Sequence, residues 1–126
     1  MISGNPALKT VFGPSLEWVS GALTYFENDS LTDLGLTNLR FVGGLQVVSC
    51  NALTEIDLPA LSRANIFITR IDFNQELRHI DFPVLRFSDF EVLDNPHLPT
   101  CEVTALFAVI GGEHHQSGND DVAVCP

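Results

Sequence analysis

Basic residues are scarce in this chain. Six Lys and Arg stand against 16 Asp and Glu, a formal charge of −10 over 126 residues. Phosphate binding needs clustered Lys and Arg, so no nucleic-acid partner is expected, and the same balance gives no attraction to an anionic membrane surface. Long apolar runs are missing too. The longest stretch free of charge runs only from Phe41 to Thr54, whereas a membrane-spanning helix needs about 20 residues. The opening Met1-Ile2-Ser3-Gly4-Asn5 has no basic patch followed by an apolar stretch, so no signal peptide is read in it. No glycine-rich phosphate loop is present, and Gly43-Gly44 reads as the turn before a strand. No Ser/His/Asp or Cys/His constellation has a useful spacing, so neither catalysis nor a cofactor is expected. The apolar fraction of 45% is that of a globular chain rather than a disordered one.

Internal repeats are what the chain has instead. The string L-x-V-x-x-N-x-x-L runs through Leu23-Thr24-Tyr25 to Asn28 and Leu31, Leu45-Gln46-Val47 to Cys50 and Leu53, Thr69-Arg70-Ile71 to Asn74 and Leu77, and Phe90-Glu91-Val92 to Asn95 and Leu98. A truncated first copy is Ile2 to Asn5 and Leu8. The ladder Asn5, Asn28, Cys50, Asn74, Asn95 advances by a nearly constant step. A second motif follows each ladder position: Leu53-x-x-Ile56-x-Leu58-Pro59-x-Leu61 matches Leu77-x-x-Ile80-x-Phe82-Pro83-x-Leu85. Leu31 to Leu39 repeats it without proline, and Leu8 to Leu16 is a looser copy. Each repeat therefore holds two short strands of alternating apolar residues separated by turns.

One copy cannot bury its own apolar stripe, but stacked copies make a continuous core. The expected fold is mainly β, a short single-domain β-solenoid of about four 21–24 residue repeats over 1–98. A column of stacked Asn side chains satisfies backbone groups at a buried turn. Cys50 fits that column as a small, buried thiol.

The alternation of Asn-x-x-Leu-x-x-Ile-x-Leu-Pro-x-Leu with Gly-x-Leu-x-Val over residues 2–100 resembles the receptor L-domain family. That family includes the ligand-binding domains of insulin-type and epidermal-growth-factor-type receptors, with fungal cell-wall and bacterial secreted relatives. The resemblance implies a solenoid related to leucine-rich repeats and no catalysis. It transfers no ligand, because each receptor reads a different one.

The repeat stops at Thr100, and residues 99–126 read as a C-terminal cap of the same domain. Cys101 to Ile110 has apolar residues at helical spacing, with Thr100 as the N-cap and Gly111-Gly112 as the stop. Such a helix covers the open end of the core. His114 to Asp121 reads as a solvated loop, since His114-His115 beside Asp120-Asp121 match no metal-ligand spacing. Cys125 then returns to the start of the helix. One Cys101–Cys125 bridge and a free Cys50 are the simplest pairing of three cysteines, and suit an oxidising compartment.

Two outward columns suggest surface roles. Asp33, Glu55 and His79 share one repeat position, and Asp57 and Asp81 another; neighbours about 4.8 Å apart repel unless solvated or bridged by calcium, and a solvated face is the simpler reading. On the first strand, Thr24, Gln46, Arg70 and Glu91 are polar, while Phe26, Val48, Asp72 and Leu93 are mostly apolar, with Phe73 and Tyr25 adding aromatic surface. Exposed apolar columns on a sheet are contact sites. The candidate binding face is therefore Phe26, Val48, Arg70, Asp72, Phe73 and Leu93. The expected function is extracellular or cell-surface recognition of a protein or glycan; the alternative is a scaffold of a wall or envelope. The apolar Ile2, Leu8, Val11 and Leu16 of the first repeat suggest an unprotected N-terminal edge and homo-oligomers formed through it.

Overall fold

The computed structural model describes residues 1–11 and 13–125. Strands β1 (Ile2–Ser3), β2 (Trp18–Phe26), β3 (Phe41–Val48), β5 (Arg63–Asp72), β7 (Phe87–Leu93) and β8 (His114–Ser117) form one six-stranded sheet in that order, every pair parallel. On the opposite side β4 (Glu55–Asp57) pairs in parallel with β6 (His79–Asp81), and helix α1 (Thr100–Phe107) follows β7 in the chain. This is a β-solenoid. The second motif supplies its core, for Leu53, Ile56, Leu58 and Leu61 are fully buried, and Ile80, Phe82 and Leu85 nearly so. Each such side chain contributes about 1.5–3 kcal/mol of transfer free energy.

The ladder is a hydrogen-bonded column. Asn74 Oδ1 accepts the backbone N–H of Cys50 (2.9 Å), and Asn74 Nδ2 donates to the carbonyl of Val47 (3.0 Å). Asn95 repeats this on Asn74 and Ile71, and Asn28 on Asn5 and Ile2. The residue before each rung has a left-handed backbone: Gly4, Glu27, Ser49, Phe73 and Asp94. A sixth rung follows. Asn119 Oδ1 accepts the N–H of Asn95 (3.2 Å), its Nδ2 donates to Val92 (3.0 Å), and Gly118 before it is left-handed. Six rungs make five turns, one more than the four repeats expected.

This corrects the reading of His114 to Asp121 as a loop. His114–Ser117 pair with Phe90–Leu93 as β8, a strand too polar to show alternation. The signal lay elsewhere: Ser117-Gly118-Asn119 repeats Ser3-Gly4-Asn5.

Over the first four turns the length varies in one place only. Trp18, Phe41, Arg63 and Phe87 keep one constant offset from the preceding rungs Asn5, Asn28, Cys50 and Asn74. Their separation from the next rung varies instead, longest from Arg63 to Asn74 and shortest from Phe87 to Asn95. The strands absorb the difference as bulges, at Val19/Ala22, Val42/Gln46 and Ala64/Thr69. The shorter β3 is crowded from both sides by its longer neighbours. A Cβ on Gly43 would sit 2.5 Å from the Ser20 carbonyl oxygen, and one on Gly44 would sit 2.7 Å from Phe67 Cβ. Gly43-Gly44 thus lies inside β3, not in a turn before it. Gly43→Ala is expected to lower the unfolding free energy by about 1–3 kcal/mol through overpacking against backbone; an unchanged denaturant midpoint contradicts the crowding.

The helix stands where a third short strand would extend the β4–β6 pair, with Val103 buried in the core and Leu106 and Phe107 packed against it. Glu102 in its first turn accepts the Ile80 N–H (2.7 Å) and lies 2.6 Å from His79 Nδ1. A carboxylate thereby takes the donor of the β6 edge that a strand carbonyl would have taken. Pro99, not Thr100, is the N-cap, with no side-chain cap bond, and the helix ends at Phe107, before Gly111-Gly112. Thr100 Oγ1 instead donates to Asp121 Oδ1 (2.5 Å). Cys101 and Cys125 are disulfide-bonded, Cα atoms 6.1 Å apart, and Cys50 is a buried free thiol.

Candidate binding face

The register of the major sheet sets its outer face. Thr24, Gln46, Arg70, Glu91 and His115 lie side by side on successive strands, and so do Phe26, Val48, Asp72, Leu93 and Ser117. Between these columns the side chains of Tyr25, Val47, Ile71 and Val92 point inward and are fully buried. The columns read from the sequence are therefore real columns. Phe26 and Phe73 are exposed, Val48 and Leu93 half-buried, and Arg70 is exposed with its guanidinium 2.7 Å from Glu91.

Two assignments to this face fail. Tyr25 is wholly buried: its hydroxyl donates to the Leu34 carbonyl (3.1 Å), and burial pushes its pKa up to about 12. Asp72 is only 4% exposed, so it is no contact residue. Its Oδ1 accepts the Leu93 N–H (3.2 Å), and Arg70 Nε is 3.9 Å from Oδ2. Strand alternation names a side but not a depth. Here the neighbouring side chains close over a short carboxylate.

Burial, reinforced by the nearby Glu91 charge, lifts the Asp72 pKa from 3.8 to about 6, with the Leu93 N–H and Arg70 opposing. A carboxyl raised in the folded state favours folding while protonated. The stability tied to it falls as pH rises from about 4 to about 6 and stays lost above. Asp72→Asn keeps the acceptor for Leu93 and removes the charge. The variant is expected to be more stable than the parent by roughly 1–3 kcal/mol at pH 7 and nearly equal to it at pH 3.5. Denaturant midpoints at the two pH values check this, and the same difference at both contradicts it.

The face holds more apolar surface than the sequence suggested. The β5 bulge pushes Ile66, Phe67 and Ile68 outward, each about half exposed. At the start of the strands, Trp18 (66% exposed) stacks on Phe41 with ring centres 4.1 Å apart, and Phe87 is exposed in the same row. The constant offset from the ladder marks that row in the sequence. The bulge has no such signal, because Asn65 to Ile68 reads equally well as a buried apolar run.

The opposite side is acidic. Glu55 pairs with His79 and Asp57 with Asp81, as the repeat positions implied. Asp33 holds the same repeat position one turn earlier, bridging in parallel to Thr10, and its side chain accepts the Gly35 N–H (2.8 Å). No group of three or more His, Cys, Asp or Glu is placed to hold a metal among the described residues. His114 and His115 border a cleft of about 230 Å³ with Asp89, Glu91 and Glu113.

No protein-family model matches the chain, and neither a curated protein nor a solved structure does.

Proposed function

We propose that the chain is a non-catalytic recognition module, receptor L-domain-like, of the cell surface or extracellular space. It binds a protein or glycan through the outer face of the major sheet. The observation that carries this reading is the half-exposed apolar surface of that face, Ile66, Phe67 and Ile68 on the β5 bulge above all, with Phe73 just past the end of the same strand, over a core of fully buried aliphatic side chains. Contiguous exposed apolar surface marks contact sites, and repeat proteins bind through extended faces. The disulfide supports an oxidising compartment. Among the described residues no helix is long and apolar enough to cross a membrane.

A scaffold role is the second reading. It is favoured by β1, a two-residue strand at the margin of the described sheet. Exposed edges template pairing between copies. The two readings separate in a paired experiment: arrays of glycans and extracellular proteins for saturable binding, and light scattering across a concentration series for self-association. Saturable binding by a monomer supports recognition. Concentration-dependent assembly without any array ligand supports the scaffold.

A further inference from the structure

The corner where the major strands begin carries a second arrangement. Trp18, Phe41, Arg63 and Phe87 are neighbours in register. One residue earlier, Glu17, Arg40, Ser62 and Arg86 form a parallel row. In it the N–H groups of Arg40, Ser62 and Arg86 donate to the carbonyls of Glu17, Arg40 and Ser62 at 2.9, 2.9 and 3.0 Å. Three of the six cations in a chain of charge −10, Arg40, Arg63 and Arg86, thus stand on consecutive turns. All three are exposed, and none has an ion-pair partner among the described residues, whereas Arg70 and Arg78 do. Beside them a cleft of about 420 Å³ is lined by Glu17, Trp18, Arg40, Phe41, Ser62 and Arg63.

We propose that this corner binds a carboxylated glycan of uronic-acid type, laid along the solenoid axis; the assignment rests on the recognition reading above and names its ligand class. Three features of the corner point the same way. Unpaired guanidinium groups in an otherwise acidic molecule select an anion, and their planar fork matches a carboxylate. Glu17 and Ser62 place acceptors among those donors, which suits hydroxyl groups that both give and accept hydrogen bonds; a ligand with anionic groups alone would only be repelled by Glu17. The Trp18–Phe41 stack offers an apolar aromatic surface, and the C–H face of a pyranose ring fits it. Rungs repeat at about 4.8 Å, close to the advance of a linear glycan per sugar, so successive sugars meet successive rungs. Charge elsewhere on the chain is screened beyond about 8 Å at physiological salt, while Arg40 and Arg63 line the cleft itself.

Trp18 is the single tryptophan, so its fluorescence reports on this cleft directly. The full chain is titrated with oligomers of polygalacturonate, alginate and hyaluronan, with cello-oligosaccharides and poly-aspartate as comparisons. The expected result is a saturable change in Trp18 emission with at least one of the three uronates. Binding weakens at least tenfold in the Arg40→Gln, Arg63→Gln double variant, whose melting temperature is unchanged because both side chains are exposed. No response to any uronate overturns the assignment, and so does equal binding of the neutral oligosaccharide or of poly-aspartate. The wider recognition reading is decided separately, by the arrays and by variants at Phe26, Val48 and Leu93, at the other end of the same strands.

Discussion

Replacing Asn74 with leucine is expected to lower the unfolding free energy by about 2–4 kcal/mol. Its side chain is wholly buried and serves three groups at once: it accepts from the Cys50 N–H, and donates to the Val47 carbonyl and to Asn95 Oδ1 (3.1 Å). Leucine leaves the first two without partners where water does not reach, and a buried unsatisfied backbone group costs about 1–3 kcal/mol. Cys50→Asn is the matched comparison. Burial pushes the Cys50 thiol pKa up, partly offset by the backbone and side-chain N–H groups of Asn28 directed at the sulfur. Asparagine there restores the acceptor that every other rung presents, so the change is expected to stay within about 1 kcal/mol of the parent. Denaturant midpoints of the two variants decide the matter; a Cys50→Asn protein far weaker than Asn74→Leu contradicts the ladder.

Removing the Cys101–Cys125 bridge is the second large effect. The bridge spans 24 residues, for which chain entropy gives about 3–4 kcal/mol. The segment it closes carries the last rung. Asp120 donates its N–H to the Leu98 carbonyl (2.8 Å) and accepts the Thr100 N–H (2.9 Å), beside Asn119 in the ladder. A Cys101→Ser, Cys125→Ser variant is therefore expected to lose about 3–4 kcal/mol, with amide exchange rising first in β8 and at Asn119. Thiol titration of the parent should find one reactive group, Cys50, and only after unfolding. Two or more thiols in a non-reduced sample contradict the pairing.

The repeat was legible because its chemistry is local. The buried Asn, the left-handed residue before it and the apolar spacing after it recur at a nearly constant step, and each is required by the same turn. That regularity placed the core, the register and the outward columns. Depth was not legible. Asp72 and Phe26 occupy equivalent strand positions, yet one is covered and the other open, because coverage depends on which side chains stand on adjacent turns. The last turn was hidden for a related reason. A helix replaces its short strand, and β8 consists of His114, His115, Gln116 and Ser117, so neither alternation nor the leucine motif announces it. The Arg40, Arg63 and Arg86 cluster was missed because those residues look like isolated charges until the turns are stacked.

Comparing two triple variants for binding to whichever array ligand other than a uronate the parent captures tests whether the outer face of the six-stranded sheet is the contact surface. One carries Phe26→Ser, Val48→Ser and Leu93→Ser on the outer face; the other carries Glu55→Ser, Asp57→Ser and Asp81→Ser on the β4–β6 side. Both sets lie outside the core, so circular dichroism should show both variants folded. The account predicts that the first loses binding by tenfold or more while the second binds as the parent does. Undiminished binding by the first, or loss confined to the second, contradicts it.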